Sequence, residues 1–181
     1  MVLLPMYDVS GQVLRCLYAS EPTPINKLQL PMAEADYLAA DWADSTAEVP
    51  LSMLWERYGK RLLVPEPWQA VFPEAGVLIS SSISGGNLKA RFQQAAEKAP
   101  CRCWLLLERM SMSFPLPCPD GQGRSVEQPQ EEGFYAEKLG CRYVHTPERV
   151  ILFDTDETLE QKRQWAMDAG FAGWIKVHRN H

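Results

Sequence analysis

Two carboxylates stand where apolar strand patterns end: Glu108 after Trp104-Leu-Leu-Leu107, and Asp154 after Val150-Ile-Leu-Phe153. Carboxylates at the ends of neighbouring strands can share general acid and base work when their separation suits the reaction. Ser82-Ile-Ser-Gly-Gly86 brings hydroxyls and two glycines to the start of a helical pattern, where backbone N–H groups can meet an anion. Paired glycines serve equally well to permit a tight strand-to-helix turn. Arg109 and His178 also follow strand patterns. The candidate set is therefore Glu108 and Asp154 as catalytic groups, with Ser82, Ser84, Gly85, Gly86, Arg109 and His178 as ligand-binding groups.

Asp154 also has a purely structural reading. In Asp154-Thr-Asp-Glu-Thr-Leu159, Asp154 or Thr155 can cap a helix, while Asp156 and Glu157 put negative charge on its first turn. No metal or other cofactor is expected. His145 and His178 have no partner at helical spacing, and Cys101-Arg-Cys103 is followed by no second ligand pair. Alternate residues of a strand share a face, so these two cysteines read as small packing groups.

These residues need elements to hold them. Val2–Tyr7 and Val13–Tyr18 read as an amino-terminal β-hairpin, turned by Asp8 and Gly11. Ala35, Leu38, Ala39 and Trp42 fall at helical spacing and predict a helix over Pro31–Asp44. A second helix is expected over Pro50–Lys60 and a brief strand over Leu62–Val64. Gly76–Ser80, a helix capped by Asn87, and a strand over Arg102–Met110 make a right-handed parallel βαβ unit. Residues 114–130 read as a long, proline-rich loop, either a binding lid or a surface excursion. A short helix over Glu131–Leu139 and a hairpin of Cys141–His145 with Arg149–Phe153 complete the chain's middle. Arg149–Val177 then reads as strand, turn, helix, glycine stop and strand, the repeating unit of a parallel sheet.

The 181 residues form one expected domain, 1–181, of α/β class with a mainly parallel sheet. A partial or distorted (β/α) barrel of TIM type is preferred to an open three-layer sheet. In either, the carboxyl ends of the strands share one edge, and ligands bind there. A net charge of −5 without a dense basic stripe argues against nucleic acid as a partner. The short apolar amino terminus lacks the length and basic flank of a leader or span, so no membrane role is expected. Five cysteines without a CxxC pair point to a reducing, cytoplasmic address. The six tryptophans would suit stacking on a sugar, but most fall on apolar stripes, so all but Trp68 are expected in the core.

Val150-Ile-Leu-Phe-Asp-Thr-Asp-Glu-Thr-Leu159 resembles the first motif of haloacid dehalogenase-like phosphatases. That resemblance implies Asp154 as nucleophile and Asp156 as acid/base beside Mg²⁺, with only 22 residues after Leu159 to hold the rest of the fold. A second resemblance suits the position better. Phe153-Asp-Thr-Asp-Glu-Thr-Leu159, Lys162, Ala166 and Gly170-Phe-Ala-Gly-Trp174 are similar to the last strand–helix–strand of chitinase-like glycoside hydrolase family 18 barrels. Ser82-Ile-Ser-Gly-Gly86 is similar to that family's Ser-x-Gly-Gly turn, with Ile83 at the serine position. The family's Asp-x-x-Asp-x-Asp-x-Glu strand is absent: with Glu108 on the glutamate, Leu106 and Trp104 stand where aspartates belong. The resemblance implies a carbohydrate- or small-molecule-binding barrel relative with weak or no hydrolase activity. The rival reading is a non-catalytic scaffold, a homo-oligomer completing its sheet or barrel between chains, and the phosphatase is a distant third.

Overall fold

The computed structural model describes residues 1–24, 26–27, 33–118 and 120–177. Its centre is a closed barrel of seven strands: β1 (Val2–Asp8), β2 (Val13–Ala19), β3 (Tyr37–Ala40), β4 (Leu62–Pro65), β5 (Gly76–Ser80), β6 (Cys103–Glu108) and, from the far end of the chain, β12 (Gly173–Val177). The pairs from β2 through β6 to β12 are parallel, while β1 is antiparallel to both β2 and β12.

A second, five-stranded sheet interrupts the barrel between β6 and β12. It is built from β7 (Ser111–Pro115), β8 (Arg124–Ser125), β9 (Phe134–Ala136), β10 (Cys141–Thr146) and β11 (Arg149–Phe153), in the order β8-β7-β11-β10-β9. Every pair in it is antiparallel. The architecture is therefore a mixed barrel with an added sheet, which corrects the expectation of a mainly parallel one. The barrel closes within a single chain, so no second copy is needed to complete it.

Inside the barrel, Met6, Cys16, Tyr18, Ala39, Leu63, Leu78, Trp104, Leu106, Ile175 and Val177 form one apolar filling. Trp104 is its largest member, and two glycines make room for it. A Cβ on Gly173 would press into the Trp104 ring and collide with the Tyr7 carbonyl oxygen, while one on Gly76 would collide with Leu63 and crowd the Trp104 ring. Seven strands enclose a narrow interior, so a large ring must be offset by small neighbours.

Outside, three α-helices among the described residues pack on the wall. α1 (Glu48–Tyr58) buries Leu51 and Leu54 against the outer faces of β2 to β4, together with Trp68 and Phe72. α2 (Leu88–Lys98), whose first turn is capped by Asn87 accepting from the Ala90 N–H, lays Leu88, Phe92 and Ala95 on β5 and β6. α3 (Asp156–Asp168) adds Leu159 and Ala166 to the same cluster. No helix among the described residues is long and apolar enough to cross a membrane.

Three local expectations are corrected. Pro31–Asp44 is helical at Ala33 alone among its described residues: Tyr37–Ala40 is β3, and residues 31–32 lie outside the described residues. Leu38 and Ala40 face the outer cluster while Ala39 faces the barrel interior. A strand buried on both faces has no polar alternation to betray it. Glu131–Leu139 holds β9 and a turn instead of a helix, with Gly133 at φ 62 just before the strand. Finally, β11 does not belong to the same sheet as β12, although the chain runs strand–turn–helix–strand through both.

Candidate active site

The carboxyl ends of β5, β6 and β12 open into a cavity of about 570 Å³. The barrel supplies Ser82, Ile83, Ser84, Glu108, Arg109 and Val177 to its wall. The second sheet supplies Met112 and Phe114 from β7, and the loop beyond it brings Gly121, Gly123 and Gln128. A volume of this order suits a small molecule or one end of a longer one.

Glu108 is held by its backbone. The Ser81 hydroxyl, fully buried, accepts the Glu108 N–H at 3.0 Å and lies 3.3 Å from the Glu108 carbonyl oxygen, to which it donates; the Ser81 N–H donates to the Leu106 carbonyl at 3.0 Å. These bonds extend the β5–β6 ladder past its last paired residues and fix the direction in which the glutamate leaves the strand. Ser81 was not among the residues expected to matter. Its signal was the run Ser80-Ser-Ser82, in which side-chain hydroxyls compete for backbone partners at a strand end.

Below Glu108, on the inner face of β6, are Leu106 and Trp104, both in the barrel's apolar filling. Alternation along the strand makes these the residues nearest Glu108 on its own side. Glu108 is the sole carboxylate among the described residues lining the cavity.

Asp154 lies elsewhere. It is 0% exposed, and so is Lys162, whose Nζ sits 2.8 Å from Asp154 Oδ1 and 3.0 Å from Oδ2. The Met110 N–H donates to Oδ2 at 3.0 Å and the Thr158 hydroxyl to Oδ1 at 3.0 Å. In return the Asp154 N–H donates to the Met110 carbonyl at 2.8 Å. A buried carboxylate surrounded by donors in this way is an internal counter-ion. Asp154 does not line the cavity with Glu108, which corrects the pairing of the two as acid and base. Nor does it present an oxygen to solvent, as a phosphatase nucleophile must; Asp156 is exposed and pairs with Arg109.

The helix cap falls to the next residue. The Thr155 hydroxyl accepts the Thr158 N–H and the Thr158 hydroxyl accepts the Thr155 N–H, a reciprocal capping box.

Arg109 bridges the two regions. Its guanidinium donates to the Asp156 carboxylate, to the Asp154 carbonyl at 3.3 Å and to the Gln128 side chain at 3.3 Å. Gln128 is thereby fixed at the cavity mouth. Ser82 and Ser84 line the cavity, the Ser82 N–H being held by the Ser80 hydroxyl at 3.0 Å. Gly85 and Gly86 are exposed and outside the lining. Gly86, at φ 85, makes the turn into α2, and the first helical N–H, that of Leu88, is already given to the Lys138 carbonyl at 2.8 Å. The glycines thus act as a turn here, in place of an anion cradle. His178 lies outside the described residues.

Trp68 is 8% exposed and donates its indole N–H to the Trp42 carbonyl at 2.7 Å. It is a core residue, which corrects the expectation that set it apart from the core. Cys101 stands in the left-handed region at φ 56, before β6 begins, so it does not share a strand face with Cys103. Burial pushes the thiol of Cys103 up to about 11 and that of Cys16 to about 12, which keeps both protonated and unreactive at neutral pH.

No family model matches the chain, and no curated protein matches it by sequence. Among solved structures, its fold is similar to that of the spore cortex-lytic enzyme SleL of Bacillus cereus, at 11% identity and a TM-score of 0.59, over 86% of this chain and 48% of that one. A glycoside hydrolase family 18 N-acetylglucosaminidase from Paenibacillus barengoltzii aligns at 12% identity and a TM-score of 0.58, over 84% of this chain and 68% of that one. The Bacillus subtilis protein ydhD, described as a candidate sporulation-specific glycosylase, aligns at 7% identity and 0.51, over 96% of both chains. The chain spans about half the length of the first of these. At such identities the likeness is one of fold: this chain is a barrel of the kind found in these glycoside hydrolase-like proteins.

Proposed function

We propose that this protein binds a glycan or a small glycoside at the carboxyl edge of its barrel and hydrolyses it weakly or not at all. The observation that carries this reading is that Glu108 is the lone carboxylate among the described residues of the cavity, above Leu106 and Trp104. Most glycosidases need two carboxyl groups flanking the scissile bond, one to protonate the leaving oxygen and one to act as nucleophile or base. Glu108 can accept hydroxyl hydrogen bonds, but the apolar floor beneath it supplies no second group to stabilise developing positive charge. The fold likeness to glycoside hydrolase-like proteins supports a sugar as the ligand class. Asp154 serves as architecture, holding Met110 and Arg109 in the wall.

In this reading Ser82, Ser84 and Glu108 meet the ligand's hydroxyls, and Arg109 positions Gln128. Calorimetric titration of the whole chain with mono- and disaccharides tests it. Replacing Glu108 by Gln keeps the shape and removes the charge, and is expected to weaken binding about 10- to 100-fold, the worth of a hydrogen bond to a charged group. Saccharide hydrolysis at an enzyme-like rate that disappears in Glu108→Gln would replace the binding reading with a catalytic one.

A further inference from the structure

The cavity has two unlike sides, and they come from different parts of the fold. Ser82, Ser84 and Glu108 stand on the barrel rim beside Ile83 and Val177, whereas Met110, Ser111, Met112 and Phe114 come from the segment that leaves β6 and forms the first strand of the second sheet, apolar except for Ser111. Successive even-numbered residues of β7 point to one face. Met112 and Phe114 therefore present a continuous apolar strip to the cavity, with Val177 and Ile83 at its margins. The loop beyond closes over this strip closely enough that a Cβ on Gly123 would lie 2.6 Å from the Phe114 ring. A bare sugar placed against the serines and Glu108 leaves that strip facing water.

Resting on the binding reading above, we propose that the natural ligand is a glycoside carrying a compact apolar substituent, aryl or short alkyl. Its hydroxyls lie toward Ser82, Ser84 and Glu108, and its apolar substituent lies on Met112 and Phe114. Apolar area removed from water strengthens binding in proportion to its extent. A thioether adapts to an irregular group and makes favourable contact with the edge of an aromatic ring. Gly121, which also lines the cavity, would meet nothing within 4 Å if it carried a Cβ, and leaves room beside the strip for that group.

The test is calorimetric titration of the whole chain with methyl and phenyl β-glycosides of glucose, galactose and N-acetylglucosamine. For the sugar that binds, the phenyl glycoside is expected to bind about tenfold more tightly than the methyl glycoside. In Met112→Gln, which keeps the side chain's length, that ratio is expected to fall to near one. In Met112→Leu, which keeps its apolarity, the ratio is expected to persist. Met53→Gln, on the exposed side of α1, serves as the distant control and should leave both affinities unchanged. A ratio near one in the unaltered protein, or a ratio that survives Met112→Gln, overturns this inference and leaves the binding reading in place. Failure of every methyl and phenyl glycoside to bind overturns the binding reading, and this inference with it.

Discussion

The barrel and the second sheet are both made of strands, yet they are held by different means. The barrel is closed, most of its strands shielded on both faces while β1 and the start of β2 are exposed, and its interior is packed tightly enough that glycines stand beside Leu63 and Trp104 at positions 76 and 173. The second sheet is open. It has two edge strands, a small cluster around Met110, Cys141 and Leu152, and exposed aromatics such as Phe134 at 67%. What anchors it to the barrel is polar: the buried Asp154–Lys162 pair and the reciprocal bonds between Asp154 and Met110. The difference teaches where each can change. The barrel provides rigid placement for Glu108, and the added sheet provides a wall whose character can vary without reopening the barrel.

The strongest way to break this arrangement is to cut the polar anchor. Lys162→Met leaves Asp154 buried without its counter-ion and is expected to cost about 3–5 kcal/mol. For a chain of this size that lowers Tm by roughly 10 °C, measurable by thermal and denaturant unfolding. The double variant Asp154→Leu with Lys162→Met removes both charges and is expected to recover much of the loss. It would still leave the Met110 N–H without its acceptor, and the cavity wall less well fixed.

Glycines separate the two regions next. Gly173→Ala drives a methyl against the Tyr7 carbonyl and the Trp104 ring inside a closed barrel, and is expected to cost about 1–3 kcal/mol by overpacking. Gly123→Ala meets the Phe114 side chain first, at the cavity mouth. It is expected to cost about 1 kcal/mol or less while still weakening ligand binding, so unfolding and calorimetry on the same pair sharpen the contrast. An equal stability loss in the two variants would remove it.

A modest effect on the fold, with a larger one on the site, is expected from Ser81→Ala. It removes the hydroxyl that bridges the Glu108 N–H and carbonyl. A loss of about 1–2 kcal/mol in stability should come with a clear loss of ligand affinity, since the glutamate's direction depends on that bridge.

Much of the barrel was legible in the sequence. The hairpin of β1 and β2, the β5–α2–β6 unit and the cap at Asn87 each rest on local patterns that tertiary packing only reinforces. β3 was not legible, because Leu38, Ala39 and Ala40 are buried on alternate faces of a two-sided wall and their spacing mimics a helix. The membership of β11 was hidden for another reason. Strand–turn–helix–strand is a local pattern, while the sheet a strand joins is decided by all its pairings, here the expected hairpin with Arg142 to Thr146 and a distant partner, Ser111 to Pro115.

The site divides along the same line. Ser82, Ser84, Glu108 and Arg109 could be found because strand ends share an edge, and the cavity lies there. Met112, Phe114 and Gln128 reach that edge only through the second sheet and its loop, which the alternating prolines left open as either a binding lid or a surface excursion. Asp154 shows the opposite error. Its motif resembles reactive sites, yet Lys162, two turns along the helix, sits where it neutralises the carboxylate in the interior.

The account's central claim is that ligand enters the cavity between the barrel rim and the second sheet. The most direct measurement is nuclear magnetic resonance on protein labelled at its methionine methyl groups, titrated with the glycoside that calorimetry selects. The methyl signals of Met110 and Met112 should shift saturably, while those of Met6 in the barrel interior and Met53 on α1 stay in place. Saturable shifts at Met6 or Met53 with Met110 and Met112 unmoved would contradict it.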